Sequence, residues 1–176
     1  LGCGSSAGVP RVGQGWGACD PNNPRNRRRR CSLLVERTGP NGKTTVLIDT
    51  SPDLREQLLD EAVEKIDGVL LTHPHADHTG GLPAMVAEGA TIITQENNEA
   101  FFEKALNTPR TLLNDTLATN PKTAKVEAVA EKKIYSDGTR TVEMYHVSPV
   151  PHSNGLMIAY IPKEKIVLQG DFSLPA

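Results

Sequence analysis

Aromatic residues are scarce in this chain: one tryptophan, three tyrosines and three phenylalanines in 176 residues. Stacked rings cannot carry the core, so Val, Leu, Ile and Ala must fill it. Long apolar runs are missing as well. None approaches the roughly 20 residues that a membrane-crossing helix needs, and no membrane partner is expected. Neither sign of charge is in large excess, with 19 Lys and Arg against 21 Asp and Glu and a formal net charge of −2. That balance argues against a general nucleic-acid binder and leaves local patches open. Cysteine is sparse and unpatterned. Cys3, Cys19 and Cys31 form no C-x-x-C, which suits a reducing, cytoplasmic setting better than a disulfide scaffold. They read either as free thiols or as ligands of a small structural metal site. No secretory signal opens the chain, and its start at Leu1 fits the removal of residues upstream.

The length favours a single domain over residues 1–176, with chain enough for a real core. Residues 1–30, with "DPNNPRNRRRR", read as a long irregular opening. "CSLLVER" (31–37) and "KTTVLID" (43–49) read as two strands joined by the turn-forming "TGPNG". "SPDLREQLLDEAV" reads as a helix with Ser51 as cap, Pro52 in the first turn, and Leu54, Leu58 and Leu59 on one face. A buried strand (67–72), a short helix ("GLPAMVAEG"), a strand ("ATIIT") and a helix ("NNEAFFEKAL") follow. Residues 107–124 read as a long connection, and two hairpins follow, turning at Ser136–Gly138 and at Pro162–Glu164. Strands alternating with helices indicate a layered α/β fold, with chemistry in the loops after strand ends.

One such loop stands out. "LLTHPHADHTGG" (70–81) places His73, His75, Asp77 and His78 within six positions, although the chain has only five histidines. No packing requirement asks for that. Imidazoles with a carboxylate suit zinc, and also iron or manganese, and two adjacent metals can hold and activate a hydroxide. Distant partners are needed, and His152 in "SPVPHSNG" and Asp171 in "LQGDFS" stand where strand ends could gather them. His146, inside "VEMYHV", reads as a packed or surface residue. Weaker signals are "RNRRRR" (25–30), either an anion site or a solvated loop, and the glycine-rich "GCGSSAG", a weak phosphate motif. Ser5 and Ser6 have no evident base partner. Glu96 and Asn97 could approach the site, and Trp16 reads as a lid or a packing anchor.

The H-x-H-x-D-H run, the later "PH" before a hairpin and the "GD" after it resemble the metallo-β-lactamase superfamily. The resemblance implies an α/β fold of the αβ/βα sandwich type with a dinuclear site between its sheets. By position, His73, His75 and His152 would hold one metal, Asp77 and His78 a second, and Asp171 would bridge them. Asp77, His78 and Asp171 would frame the chemistry, with a metal-bound hydroxide as nucleophile. The implied cofactor is one or two zinc ions, with manganese or iron as alternatives. The family's further histidine after the bridging aspartate has no counterpart, because the sequence stops at Ala176. The sandwich is therefore expected to be incomplete at its C-terminal part. Residues 1–80 resemble the phosphoribosyl cyclic phosphodiesterase-like branch, and residues 80–176 another hydrolase branch. That change fits a recombined or fragmentary member, or one natural sequence bridging both. The expected activity is metal-dependent hydrolysis of a small-molecule phosphodiester or cyclic phosphate. The alternatives are a lactam, lactone or thioester hydrolase, and a metal-binding scaffold with little catalysis. A homo-oligomer is a further expectation.

Overall fold

The structure is a computed structural model that describes residues 1–4, 7–40 and 42–172. The readings of Ser5 and Ser6 fall outside these. Two runs rich in β-branched residues, β1 (Leu33–Gly39) and β2 (Gly42–Ile48), form the expected antiparallel hairpin, with Leu33 opposite Ile48. Strands β3 (Gly68–Leu70), β4 (Thr91–Gln95) and β5 (Lys125–Val129) join β2 in parallel, giving the order β1-β2-β3-β4-β5. Parallel neighbours require crossovers. Helix α1 (Leu54–Asp60) supplies the first, α2 (Ala76–Thr79) and α3 (Leu82–Glu88) the second, and α4 (Glu96–Asn107) and α5 (Thr116–Thr119) the third. A second sheet of β6 (Lys132–Ser136), β7 (Thr141–Val147), β8 (Leu156–Ile161) and β9 (Ile166–Leu168) is antiparallel in chain order.

Period-two alternation along the central strands sets the layers. Leu47, Val69, Leu71 and Ile92 point to one side, where Leu82, Met85, Val86, Phe102 and Leu106 of the helices cover them. Ile48, Leu70 and Ile93 point to the other, against Val142, Met144, Met157, Ala159 and Ile161 of the second sheet. Each fully buried side chain of this kind contributes roughly 1.5–3 kcal/mol. Aliphatic and methionine side chains carry both cores, and Phe102 is the one buried Phe, Tyr or Trp among the described residues. The described residues thus build a helix layer and two sheets, the α/β arrangement that was expected. Among them, no helix is long and apolar enough to cross a membrane.

Several details differ from the sequence reading. Helix α1 begins at Leu54, with Asp53 rather than Ser51 in the cap position. The Ser51 hydroxyl accepts from the Asp53 N–H at 3.2 Å and donates to Gln57 Oε1 at 3.0 Å. Leu59 is 59% exposed, whereas Gln57 is buried. Gln57 takes the inner position because its amide is satisfied there, Nε2 donating to Arg30 O at 2.8 Å. Within the arginine run, Arg30 pairs with Asp53 at 3.1 Å and Arg29 with Asp60 at 2.8 Å, so two of its charges fasten the opening loop to α1. The long connection 107–124 contains α5, whose cap Asp115 accepts from the Ala118 N–H at 2.9 Å.

Candidate metal centre

The three central parallel strands end on one edge of the first sheet, and the site is built there. Strand β2 runs out into Asp49, which is 1% exposed and adopts a left-handed φ of 60°. Asp tolerates that conformation better than most residues. The turn carries its carboxylate towards the end of β3. There Oδ1 accepts from the Thr72 N–H at 2.8 Å and Oδ2 from the Thr72 hydroxyl at 2.7 Å. Oδ2 also faces His78 Nδ1 at 2.8 Å. The next residue, Thr50, donates its N–H to His78 O at 2.6 Å and accepts from the Gly81 N–H at 2.9 Å. The start of α3 is thereby clamped to the end of β2.

This network assigns the imidazole tautomers. Asp49 is acceptor-only, so His78 donates through Nδ1–H and presents Nε2 to the site. Thr72 has one hydroxyl proton, given to Asp49. At 3.0 Å from His73 Nδ1 it therefore accepts, and His73 also presents Nε2. His73 and His78 are 0% and 2% exposed. Their rings lie 4.2 Å apart between centroids, and His75 and His152 pack edge-on at 4.6 Å from one another.

Two donor groups result. His73, His75, His152 and Asp171 form one, and Asp77, His78 and Asp171 the other. In each, the donor atoms lie within 4.8 Å of one another, and Asp171 belongs to both. Asp171 Oδ1 is 3.2 Å from His78 Nε2, and its Oδ2 is 3.5 Å from His152 Nε2. Gly170 makes this approach possible. Its φ is +58°, and a Cβ there would stand 2.6 Å from Thr72 Oγ1. All six residues singled out from the sequence come together.

The donor chemistry fits a cation. His73 Nε2 and Asp77 Oδ2 are buried without a hydrogen-bond partner, which is costly for polar atoms. Nε2 lone pairs face carboxylate oxygens, so acceptors face acceptors unless something positive lies between them. Burial, followed by the neighbouring His78 and His75, pushes His73 down to about 3, so this imidazole stays neutral and available as a ligand. Burial also works to lower His78. The hydrogen bond and charge of Asp49, with the charges of Asp171 and Asp77, outweigh it and raise His78. A proton at His78 Nε2 is thus the alternative to a metal.

The family profile of the Metallo-beta-lactamase superfamily matches residues 28–176. The chain belongs to the metallo-beta-lactamase superfamily. This superfamily member is 46% identical to the octanoyltransferase of Porphyromonas gingivalis over 82 residues, 47% of this chain and 16% of that protein. It is 24% identical over 149 residues to a probable RNase of Methanocaldococcus jannaschii, covering 75% of this chain and 34% of that one. A diphosphatase of the PhnP family has a similar structure, with a TM-score of 0.65 and 25% identity, over 91% of this chain and 59% of that one. A subclass B3 metallo-beta-lactamase of Bradyrhizobium japonicum matches with a TM-score of 0.54 and 23% identity, over 75% of this chain and 50% of that one. The last is a likeness of fold alone. This chain spans less than two thirds of the length of each of these proteins.

Other residues singled out from the sequence lie elsewhere. Glu96 and Asn97 open α4 and belong to neither donor group, and His146 sits in β7 with Nδ1 3.6 Å from Glu131. Among the described residues no donor group of three or more includes a cysteine, so a cysteine-based structural metal site has no counterpart there. Asp49 and Thr72 were not legible as site residues. The signal was an aspartate closing the apolar run "TVLID", which reads equally well as a strand end.

Proposed function

We propose that this superfamily member is a metal-dependent hydrolase of phosphodiesters or cyclic phosphates. The observation that carries the proposal is Asp171 shared between two donor groups, facing the Nε2 atoms of His73 and His78. His73, His75, His152 and Asp171 would hold one ion, and Asp77, His78 and Asp171 a second. Imidazole nitrogen with carboxylate oxygen favours zinc, with manganese or iron as the other fits. A divalent ion in such a site acts as a Lewis acid and brings the pKa of bound water towards neutrality.

The protein's own part is orientation. Asp49 and Thr72 fix the tautomers, so that the buried imidazoles offer Nε2 without rotating. Exposed His75 and His152 leave one side of the cluster open to a substrate. Asp77 Oδ2 stands 3.4 Å from His78 Nε2, so this pair can take either a proton or the second ion. The phosphoester preference is supported by the likeness to the diphosphatase of the PhnP family.

The test is hydrolysis of a chromogenic phosphodiester by the metal-loaded protein and by His75→Ala. His75 is exposed, so its removal spares the core. Turnover should fall at least a hundredfold, and unchanged turnover would overturn the assignment. A lactam, a lactone and a thioester assayed alongside, with and without chelator, separate phosphorus from carbonyl substrates.

A further inference from the structure

Cys3 and Cys31 are neighbours in the fold. Gly2 and Ser32 form an antiparallel bridge and exchange both backbone hydrogen bonds, at 3.1 and 3.2 Å. Cys3 and Cys31 adjoin that bridge, one on each segment, and the following contact, Gly4 with Arg30, is parallel, so the register shifts just beyond them. A hydrogen-bonded antiparallel pair such as Gly2 and Ser32 holds its Cα atoms about 5.5 Å apart, and the two cysteines are the adjoining residues. A disulfide requires Cα atoms about 4.4–6.8 Å apart. Beyond the pair, the Gly4 N–H donates to Arg29 O at 2.7 Å and keeps the two segments together. Both cysteines line one cavity of about 570 Å³, and Asp49, Thr72 and Gly170 of the metal centre line it too. Both are free thiols, Cys3 exposed and Cys31 half-buried.

We propose that Cys3 and Cys31 are a dithiol that a hydroperoxide closes to a disulfide, a modification site on the cavity wall beside the metal centre. Cys3 is the thiol the oxidant meets. Its sulfur attacks the peroxide oxygen, the O–O bond breaks, and a sulfenic acid and one water form. The Cys31 sulfur then attacks the Cys3 sulfur and displaces the hydroxyl as a second water. Two thiols lose two electrons and two protons to the peroxide, and one S–S bond forms. Burial, then the charges of Asp49 and Asp171, push the Cys31 thiol up to about 11. That fits a closing partner rather than the first nucleophile. The bridge would tighten a sensitive segment, because the Ser32 hydroxyl donates to Asp49 O at 2.9 Å. Cys19 lies on a different cavity, with Val9 and Trp16.

The experiment treats the full chain, stripped of metal, with hydrogen peroxide at one equivalent. Intact mass should fall by two hydrogens, and trypsin should release peptide 1–11 linked to peptide 31–37. Cys3→Ser and Cys31→Ser should each abolish the link, and Cys19→Ser should retain it. The melting temperature should rise by roughly 5–10 °C on oxidation and return on reduction, because closing a loop of this length removes entropy from the unfolded chain. Over-oxidation of Cys3 without consumption of Cys31, or a link that involves Cys19, would overturn the proposal. The outcome does not depend on the metal-hydrolase reading, since no metal or substrate takes part.

Discussion

Asp49 does more for this site than its place in the sequence suggests. One carboxylate accepts from the Thr72 backbone, the Thr72 hydroxyl and His78 Nδ1. Asp49→Asn keeps the shape but replaces one acceptor oxygen with an NH₂, so His78 or Thr72 must lose its partner. Metal affinity should fall 10–100-fold, and stability should drop by about 1–3 kcal/mol. Competition against a chelator of known affinity measures the first and urea unfolding of the metal-free protein the second. Unchanged affinity would remove Asp49 from any orienting role. His73, His75, Asp77 and His78 were legible as donors because six positions concentrate chemistry that packing cannot explain, and His152 and Asp171 because they stand at strand ends. Asp49 was not, because a single aspartate after apolar residues ends many strands without carrying chemistry.

At the scale of elements, loops after strand ends position everything, and their glycines and turns can be tested. Gly170→Ala puts a Cβ 2.6 Å from Thr72 Oγ1 at a φ of +58°. The loop after β9 must move away, carrying Asp171 from both donor groups. We expect a loss of about 1–3 kcal/mol and weaker metal binding, read by thermal melting and chelator competition. Wild-type affinity in Gly170→Ala would mean that Asp171 is not a ligand.

The β6–β7 turn gives a pH test. Backbone N–H groups of Arg140 and Thr139, with the Thr139 hydroxyl and the Arg37 charge, hold Asp137 down to about 2 from its ordinary 3.8, against the effect of burial. A depressed carboxylate stabilises the fold above its unfolded pKa, and the contribution is lost as pH falls from 3.8 towards 2. The Thr139 and Arg140 amide resonances should titrate with a midpoint near 2, and a midpoint at 3.8 would refute the turn network. Asp137→Asn should flatten that response. The hairpin was readable from its Ser-Asp-Gly. Strand β5 and helix α5 were not: "KVEAV" is short, charged and half-exposed at a sheet edge, and α5 is a single turn held by its cap.

For the whole molecule, the donors divide between the two sheets. His73, His75, Asp77 and His78 follow β3 of the first, while His152 and Asp171 flank β8 and β9 of the second. The sheets also meet through the apolar layer of Ile48, Leu70, Ile93, Met144 and Met157, with the Arg37–Asp137 ion pair at 2.7 Å at its margin. A metal bound by both would therefore add a tie between the two sheets, and its binding free energy would add to the folding free energy. At a free metal concentration one hundred times its dissociation constant, the gain is about 2.7 kcal/mol. For a chain of this size that corresponds to a rise in melting temperature of roughly 5–10 °C. His152→Ala removes a donor contributed from the second sheet without touching the core, since His152 is exposed. Its metal-free melting temperature should stay close to wild type, and most of the metal-induced rise should vanish. Thermal melting with zinc and with chelator, on both proteins, separates the outcomes. A full rise in the variant would place the metal in the Asp77, His78 and Asp171 group, which does not use His152, and no rise in either would mean that the folded cluster does not bind zinc.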